Sequence, residues 1–153
     1  MKHTILIVDD YPKNLQILAA LLYENNYNVE VASSGKNAIK WLDNTTFDTI
    51  LLDIMMPELD GFETCKIIKS NPKYEHIPII FLTAKNDIDS IEKGFDVGGV
   101  DYITKPFNQK ELLIRIKTQI ELKTSKDKLI NVNNWLNDKV EEKTFVDRPW
   151  RCW

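Results

Sequence analysis

Short apolar runs alternate along this chain with stretches in which apolar residues return every three or four positions. The runs "TILIV" (4–8), "YNVEVA" (27–32), "FDTILL" (47–52), "IPIIFL" (77–82) and "VDYI" (100–103) each predict a strand. Between them, Leu15, Leu18, Ala19 and Leu22 recur at helical spacing, as do Ile88, Ile91 and Phe95. Helix punctuation agrees. Pro12 suits a first helical position, and Asp60 with Glu63 and Asn108 with Glu111 have the spacing of capping boxes. Alternating strands and helices predict an α/β fold, a parallel sheet covered by helices on both faces.

The chemistry of the runs orders the strands. Residues 5–8, 50–52 and 79–82 are continuously apolar, as in strands buried on both sides. The second run carries Glu30 between two valines, and the fifth carries Asp101 and Tyr102, so these two predict the edges. Five strands with the second and fifth outermost fit a flavodoxin-like, doubly wound (βα)5 sheet of order 2-1-3-4-5. Ligands of such sheets sit beyond the strand carboxyl ends, where the order reverses between strands 1 and 3. Asp9 and Asp10 follow strand 1 and Asp53 closes strand 3, so the acids converge on that crevice.

Composition narrows the class without changing this outline. At 153 residues, with 43% hydrophobic and 28% charged, the chain has room for one domain and an appendage. Residues 1–122 hold 13 basic and 18 acidic side chains, and residues 123–153 hold 7 and 5. Neither part predicts direct nucleic-acid binding. No apolar run reaches membrane-spanning length, and "MKHTILIVDD" lacks a signal-peptide h-region, so a cytoplasmic protein without membrane contact is expected. Cys65 and Cys152 form neither a disulfide framework nor a metal-ligand spacing, and Cys65 is expected to be a packed side chain.

More polar groups fall at strand ends. "LLDIMMPELDGFE" follows Asp53 with a loop and the Asp60-Gly61 turn, "IIFLTAK" ends the fourth strand in Thr83, and "DYITKPF" sets Lys105 and Pro106 after the fifth. With "ILIVDD", and in this order, these pieces over residues 3–122 resemble the CheY-like receiver domain of bacterial two-component response regulators. The resemblance implies that Asp53 is a phosphoacceptor for a histidine kinase and that Asp9, Asp10 and Asp53 hold Mg2+. It also implies that Thr83 and Lys105 bind phosphoryl oxygens, and that Thr83 and Tyr102 switch the face formed by helix 4, strand 5 and helix 5. A cis Lys105-Pro106 bond comes with it. The product would be a phosphorylation-dependent signalling protein, assisting its own phosphorylation and dephosphorylation rather than turning over a substrate.

The chemistry is coherent by itself. A carboxylate needs no general base to attack phosphorus at neutral pH. Its obstacle is charge, which a hard cation held by carboxylates and phosphate oxygens removes. Gly99 stands where the family often has Ala, a mild departure, and Lys85, two residues after Thr83, lies near the expected pocket. Other readings fit less well. Aspartyl-nucleophile phosphatases carry D-x-D after strand 1, whereas the pair here is adjacent. The five glycines supply neither a dinucleotide fingerprint nor a P-loop. A degenerate receiver, used only to dimerise, would not keep every chemical position filled. His3 and His76 are expected at the surface, Met55 and Met56 in packing or a loop, and Trp41 against the core beside Ala38 and Leu42.

Helical patterning continues past a compact fifth helix. Leu112, Ile116 and Ile120 suit a sheet-facing stripe, and Leu122, Leu129 and Leu136 then recur every seven residues with Val132 beside them. Lys126 and Asn133 fall near that seam. The expected organisation is a receiver domain at 1–122, a helical linker at 123–143 that is either a coiled coil or a solvated, partly frayed helix, and a short tail at 144–153. A homodimer through the linker, or through the face of helix 4, strand 5 and helix 5, follows.

Overall fold

The computed structural model describes residues 2–84 and 88–142, the stretch 127–142 by its backbone alone. Strands β1 (Thr4–Val8), β2 (Asn28–Ala32), β3 (Thr49–Asp53), β4 (Ile79–Ala84) and β5 (Asp101–Lys105) alternate with five helices. These are α1 (Pro12–Glu24), α2 (Gly35–Asn44), α3 (Gly61–Ser70), α4 (Ile88–Asp96) and α5 (Gln109–Glu142). All neighbouring strands run parallel in the order β2-β1-β3-β4-β5, the doubly wound arrangement expected from the apolar runs. The second strand and the fifth are the edges.

Two apolar layers flank the sheet. On one side Leu15, Leu18 and Leu22 of α1 and Leu112, Ile116 and Ile120 of α5 pack against Ile5, Ile7, Leu51 and Leu82. On the other, Ala38, Leu42, Phe62, Cys65 and Ile68 of α2 and α3 pack against Leu6, Val8, Ile50, Leu52 and Phe81. Burying one such Leu or Ile contributes about 1.5–3 kcal/mol. Successive residues of β1 and β3 thus alternate between the two buried layers.

Strands β3 and β4 each begin two residues later than the apolar runs predict. Phe47 and Ile77 are buried in the core ahead of the ladder, so apolarity marks packing there rather than pairing. Helix α4 departs further. Ile88 and Phe95 are exposed, and Gly94 is the residue that meets the sheet, against the Phe81 ring. Of the apolar stripe of α4, only Ile91 is partly covered. Gly99 also faces that ring, and a Cβ there would overlap it. The change from Ala to Gly is therefore a packing requirement of Phe81, not a mild one.

Local capping sets the helix starts. Pro12 opens α1, and the Asp60 and Asn108 side chains accept from the backbone N–H of Glu63 and Glu111, half of each expected box. Trp41 is half-buried, and its indole N–H donates to the Val31 carbonyl on the outer edge of β2 (3.0 Å). That covers a group an edge strand would otherwise present to another chain. Of the methionines, Met56 is buried and Met55 lies exposed in the loop; His76 is exposed and His3 partly so. The Cys65 thiol is buried, donates toward the Val97 carbonyl, and burial pushes its pKa up to about 11. It is a packed side chain.

Helix α5 runs on for 34 residues, about 51 Å at 1.5 Å per residue. Its first part lies on the sheet, and Leu122 is already half-exposed. The expected coiled-coil positions Leu129, Val132, Asn133 and Leu136 have side chains outside the described residues, as do Lys85 and the 144–153 tail.

Candidate acidic site at the carboxyl end of the sheet

The crevice is built where β1 and β3 end side by side. Asp9 leaves β1 with its backbone N–H bonded to the Ala32 carbonyl of β2, which turns its side chain into the molecule. It is fully buried, and Asp53 nearly so, while Asp10 is exposed at the mouth. Carboxylate oxygens of the three all lie within 4.8 Å of one another. No sequence pattern separates the buried Asp9 from the exposed Asp10, which follow one another just past the end of β1.

Each buried acid has defined neighbours. Asp9 Oδ1 accepts from the Tyr11 N–H (2.9 Å) and Oδ2 from Asn14 Nδ2 (3.1 Å). Lys105 Nζ donates to Asp53 Oδ1 at 3.0 Å and stands 3.6 Å from Asp9 Oδ2. Among the described residues, one ammonium thus serves the two buried carboxylates. Burial and the neighbouring Asp9 and Asp10 push the Asp53 carboxyl up to about 6, against the opposing pull of Lys105. A cation that binds oxygen would relieve that strain, and three carboxylates in this span are a donor set suited to Mg2+.

The loop after Asp53 is held close. Gly61 N–H donates to the Ile54 carbonyl, and a Cβ on Gly61 would overlap the Asp53 carbonyl, so only glycine admits this approach. Lys105 is the last residue of β5, and the Lys105-Pro106 bond after it is cis, as the resemblance implies.

Thr83 is buried at the end of β4, and its hydroxyl is only 3.4 Å from the neighbouring Ala84 carbonyl, a weak contact. Tyr102 lies further back, on the α4–β5–α5 face. Its ring meets Phe95 of α4 edge-on at 6.2 Å, and the Arg115 guanidinium of α5 sits 5.6 Å from its centroid. Arg115 also pairs with Asp101 (2.6 Å) and Glu111 (3.1 Å). Thr83 and Tyr102 line one small cavity, together with Ile54, Phe81, Ile91 and Phe95. Reasoning from sequence thus singles out the acids, Thr83, Lys105 and Tyr102. It misses Asn14, Phe95 and Arg115. The spacing of Asn14 from Asp9 carries meaning only once Pro12 is known to start α1.

Known proteins supply an independent measure of this arrangement. Residues 5–117 match the family described as the response regulator receiver domain. A probable cyclic di-GMP phosphodiesterase of Vibrio cholerae is 44% identical over 137 residues, covering 90% of this chain and 31% of that protein. The response regulator ArlR of Staphylococcus saprophyticus is 37% identical over 143 residues, covering 94% and 63%. The chain therefore spans less than two thirds of either relative. Among solved structures, a putative response regulator from Chloroflexus aurantiacus superposes with a TM-score of 0.77 at 35% identity, covering 79% of this chain and 99% of that one. Matched by the family model over residues 5–117, the chain belongs to the receiver domain family of two-component response regulators, phosphoacceptor signalling domains served by histidine kinases.

Proposed function

We propose that Asp53 accepts a phosphoryl group from the phosphohistidine of a kinase and that the aspartyl phosphate resets the α4–β5–α5 face. The observation that carries this is the charge imbalance of the crevice: carboxylate oxygens of Asp9, Asp10 and Asp53 lie within 4.8 Å of one another, and among the described residues Lys105 is the cation paired with Asp9 and Asp53. An Asp53 carboxylate oxygen attacks phosphorus, the P–N bond breaks, and its electron pair leaves on the imidazole nitrogen. Asp9, Asp10 and Asp53 would hold Mg2+, which supplies charge neutralisation for the incoming phosphoryl group. Lys105, already beside Asp53, binds one phosphoryl oxygen, and the Thr83 hydroxyl donates to another.

Among the described residues, the Thr83 hydroxyl has only its long contact with the Ala84 carbonyl to give up when it turns toward the phosphoryl group. That movement opens the cavity it shares with Tyr102, and the ring turns inward from between Phe95 and Arg115. The result is a shift between two packings of one fold. The domain turns over no substrate of its own; it is a switch.

Residues 1–122 form the receiver unit in this reading, 123–143 a linker and 144–153 a tail. The likeness to the Vibrio cholerae protein covers more residues than the matched domain holds, so it runs on into α5. A continuous helix with leucines at 122, 129 and 136 supports a parallel coiled coil between two copies, with the α4–β5–α5 face as a second contact. Among the described residues no helix is long and apolar enough to cross a membrane, and we place the domain's action in the cytoplasm, where a kinase reaches it.

Incubation with Mg2+ and acetyl phosphate tests the central step. Intact mass should show one acid-labile phosphoryl adduct on the native chain and none on Asp53→Asn. An unmodified native chain would sink the proposal. For the linker, a dimer that dissociates when Leu129 and Leu136 become Asn is expected by sedimentation. A concentration-independent native monomer rejects it.

A further inference from the structure

The buried Asp9 carboxylate has a neutral partner that the receiver reading does not use. Asn14, one turn into α1, donates its amide Nδ2 to Asp9 Oδ2 at 3.1 Å. Lys105 Nζ, at 3.6 Å from that oxygen, lies beyond hydrogen-bond distance and is engaged with Asp53 at 3.0 Å. Asn14 is thus the only hydrogen-bond donor recorded on Asp9 Oδ2 among the described residues. Oδ1 is occupied by the Tyr11 N–H. A fully buried carboxylate oxygen requires a donor. If the Asn14 amide were removed, the cationic donor nearest that oxygen among the described residues would be Lys105.

We infer that Asn14 is a positioning residue for the cation site: by satisfying Asp9 with a neutral amide, it keeps Lys105 on Asp53 and leaves Asp9 free to share a divalent cation. The physical distinction is one of charge. An amide orients the carboxylate without cancelling it, whereas an ammonium closing onto Asp9 would cancel the charge a cation needs. Outer-shell donors of this kind orient metal ligands and tune affinity. Lys105 is then held where the phosphoryl group will arrive, instead of being trapped between Asp9 and the entering cation. This rests on the reading of the three acids as a Mg2+ site, and the experiment separates the two.

The test is calorimetric titration of the unphosphorylated full chain with Mg2+ alone. Asn14→Leu, close in shape but without a donor, should raise the Mg2+ Kd by about 10-fold. Asn14→Ala should act in the same direction and guards against a leucine that packs badly. In a Lys105→Met background, the same Asn14 substitutions should change Kd by no more than about twofold, because the ammonium that would move onto Asp9 is gone. A purely structural role for Asn14 would not depend on Lys105. An unchanged Kd in both Asn14 variants, or equal losses in both backgrounds, overturns the inference. Asp9→Asn is the control: if it abolishes binding while Asn14→Leu does not weaken it, the cation site stands and the role of Asn14 falls. A native chain that binds no Mg2+ removes both.

Discussion

The two ends of the sheet treat charge in opposite ways. At the amino end, Lys69 Nζ donates to the Glu75 and Ile77 carbonyls (2.8 and 2.6 Å), stitching α3 to the loop before β4. Asp48 accepts from the Thr4 N–H at 2.9 Å and lies near His3 and Lys123. Charges there meet partners that neutralise or solvate them. At the carboxyl end, Asp9, Asp10 and Asp53 crowd together, with Lys105 paired to Asp9 and Asp53. The first arrangement holds the loops in place. The second stores a surplus of negative charge that a divalent cation can offset, which then lets a phosphoryl group enter.

Disturbing each end should therefore have different consequences. The largest is functional: Asp53→Asn should remove the phosphoryl adduct completely while leaving the fold intact. The surplus also has a stability signature. The Asp53 carboxyl sits at about 6 in the folded state against an ordinary value of 3.8, raised by burial and by Asp9 and Asp10. The native state then holds this proton more tightly than the unfolded chain. Its contribution is fully present below pH 4 and is lost as pH rises through 6, at most about 3 kcal/mol. Asp53→Asn should accordingly be more stable than the native chain at pH 7 in metal-free buffer, and the gap should close toward pH 4. Urea unfolding at both pH values reads this out; a gap that grows toward pH 4 contradicts the sign.

The amino end should respond in stability alone. Lys69→Met leaves the Glu75 and Ile77 carbonyls without that donor, and should cost about 2 kcal/mol by urea unfolding with Mg2+ affinity unchanged. Asp48→Ala, which loses the acceptor for the Thr4 N–H in a partly exposed setting, should cost about 1 kcal/mol. A loss of Mg2+ binding in either variant would blur the contrast between the ends.

The contrast also explains what sequence could reveal. Burial on both faces demands continuous apolar runs, so β1, β3 and β4 and their central places are legible in "ILIV", "ILL" and "IIFL". The acids, Thr83 and Lys105 are legible because strand ends converge in a doubly wound sheet. What escapes depends on which way a side chain points across space. Asp9 is buried and Asp10 exposed, though they are neighbours in sequence. Ile88 and Phe95 have helical spacing yet lie exposed, because Phe81 fills the space beneath α4 and requires glycines at 94 and 99. Lys69 shows no pattern at all; its partners are backbone carbonyls, which carry no residue identity.

The central claim is that the surplus of negative charge at the carboxyl end exists to place a phosphoryl group on one carboxylate. Trapping tests it directly. The full chain is treated with Mg2+ and acetyl phosphate and reduced with borohydride, which converts an acyl phosphate to the alcohol, and the peptides are then sequenced by mass. The account predicts homoserine at position 53 and at no other aspartate, dependent on Mg2+. Reduction at Asp9 or Asp10 instead, or none at any position, would contradict it.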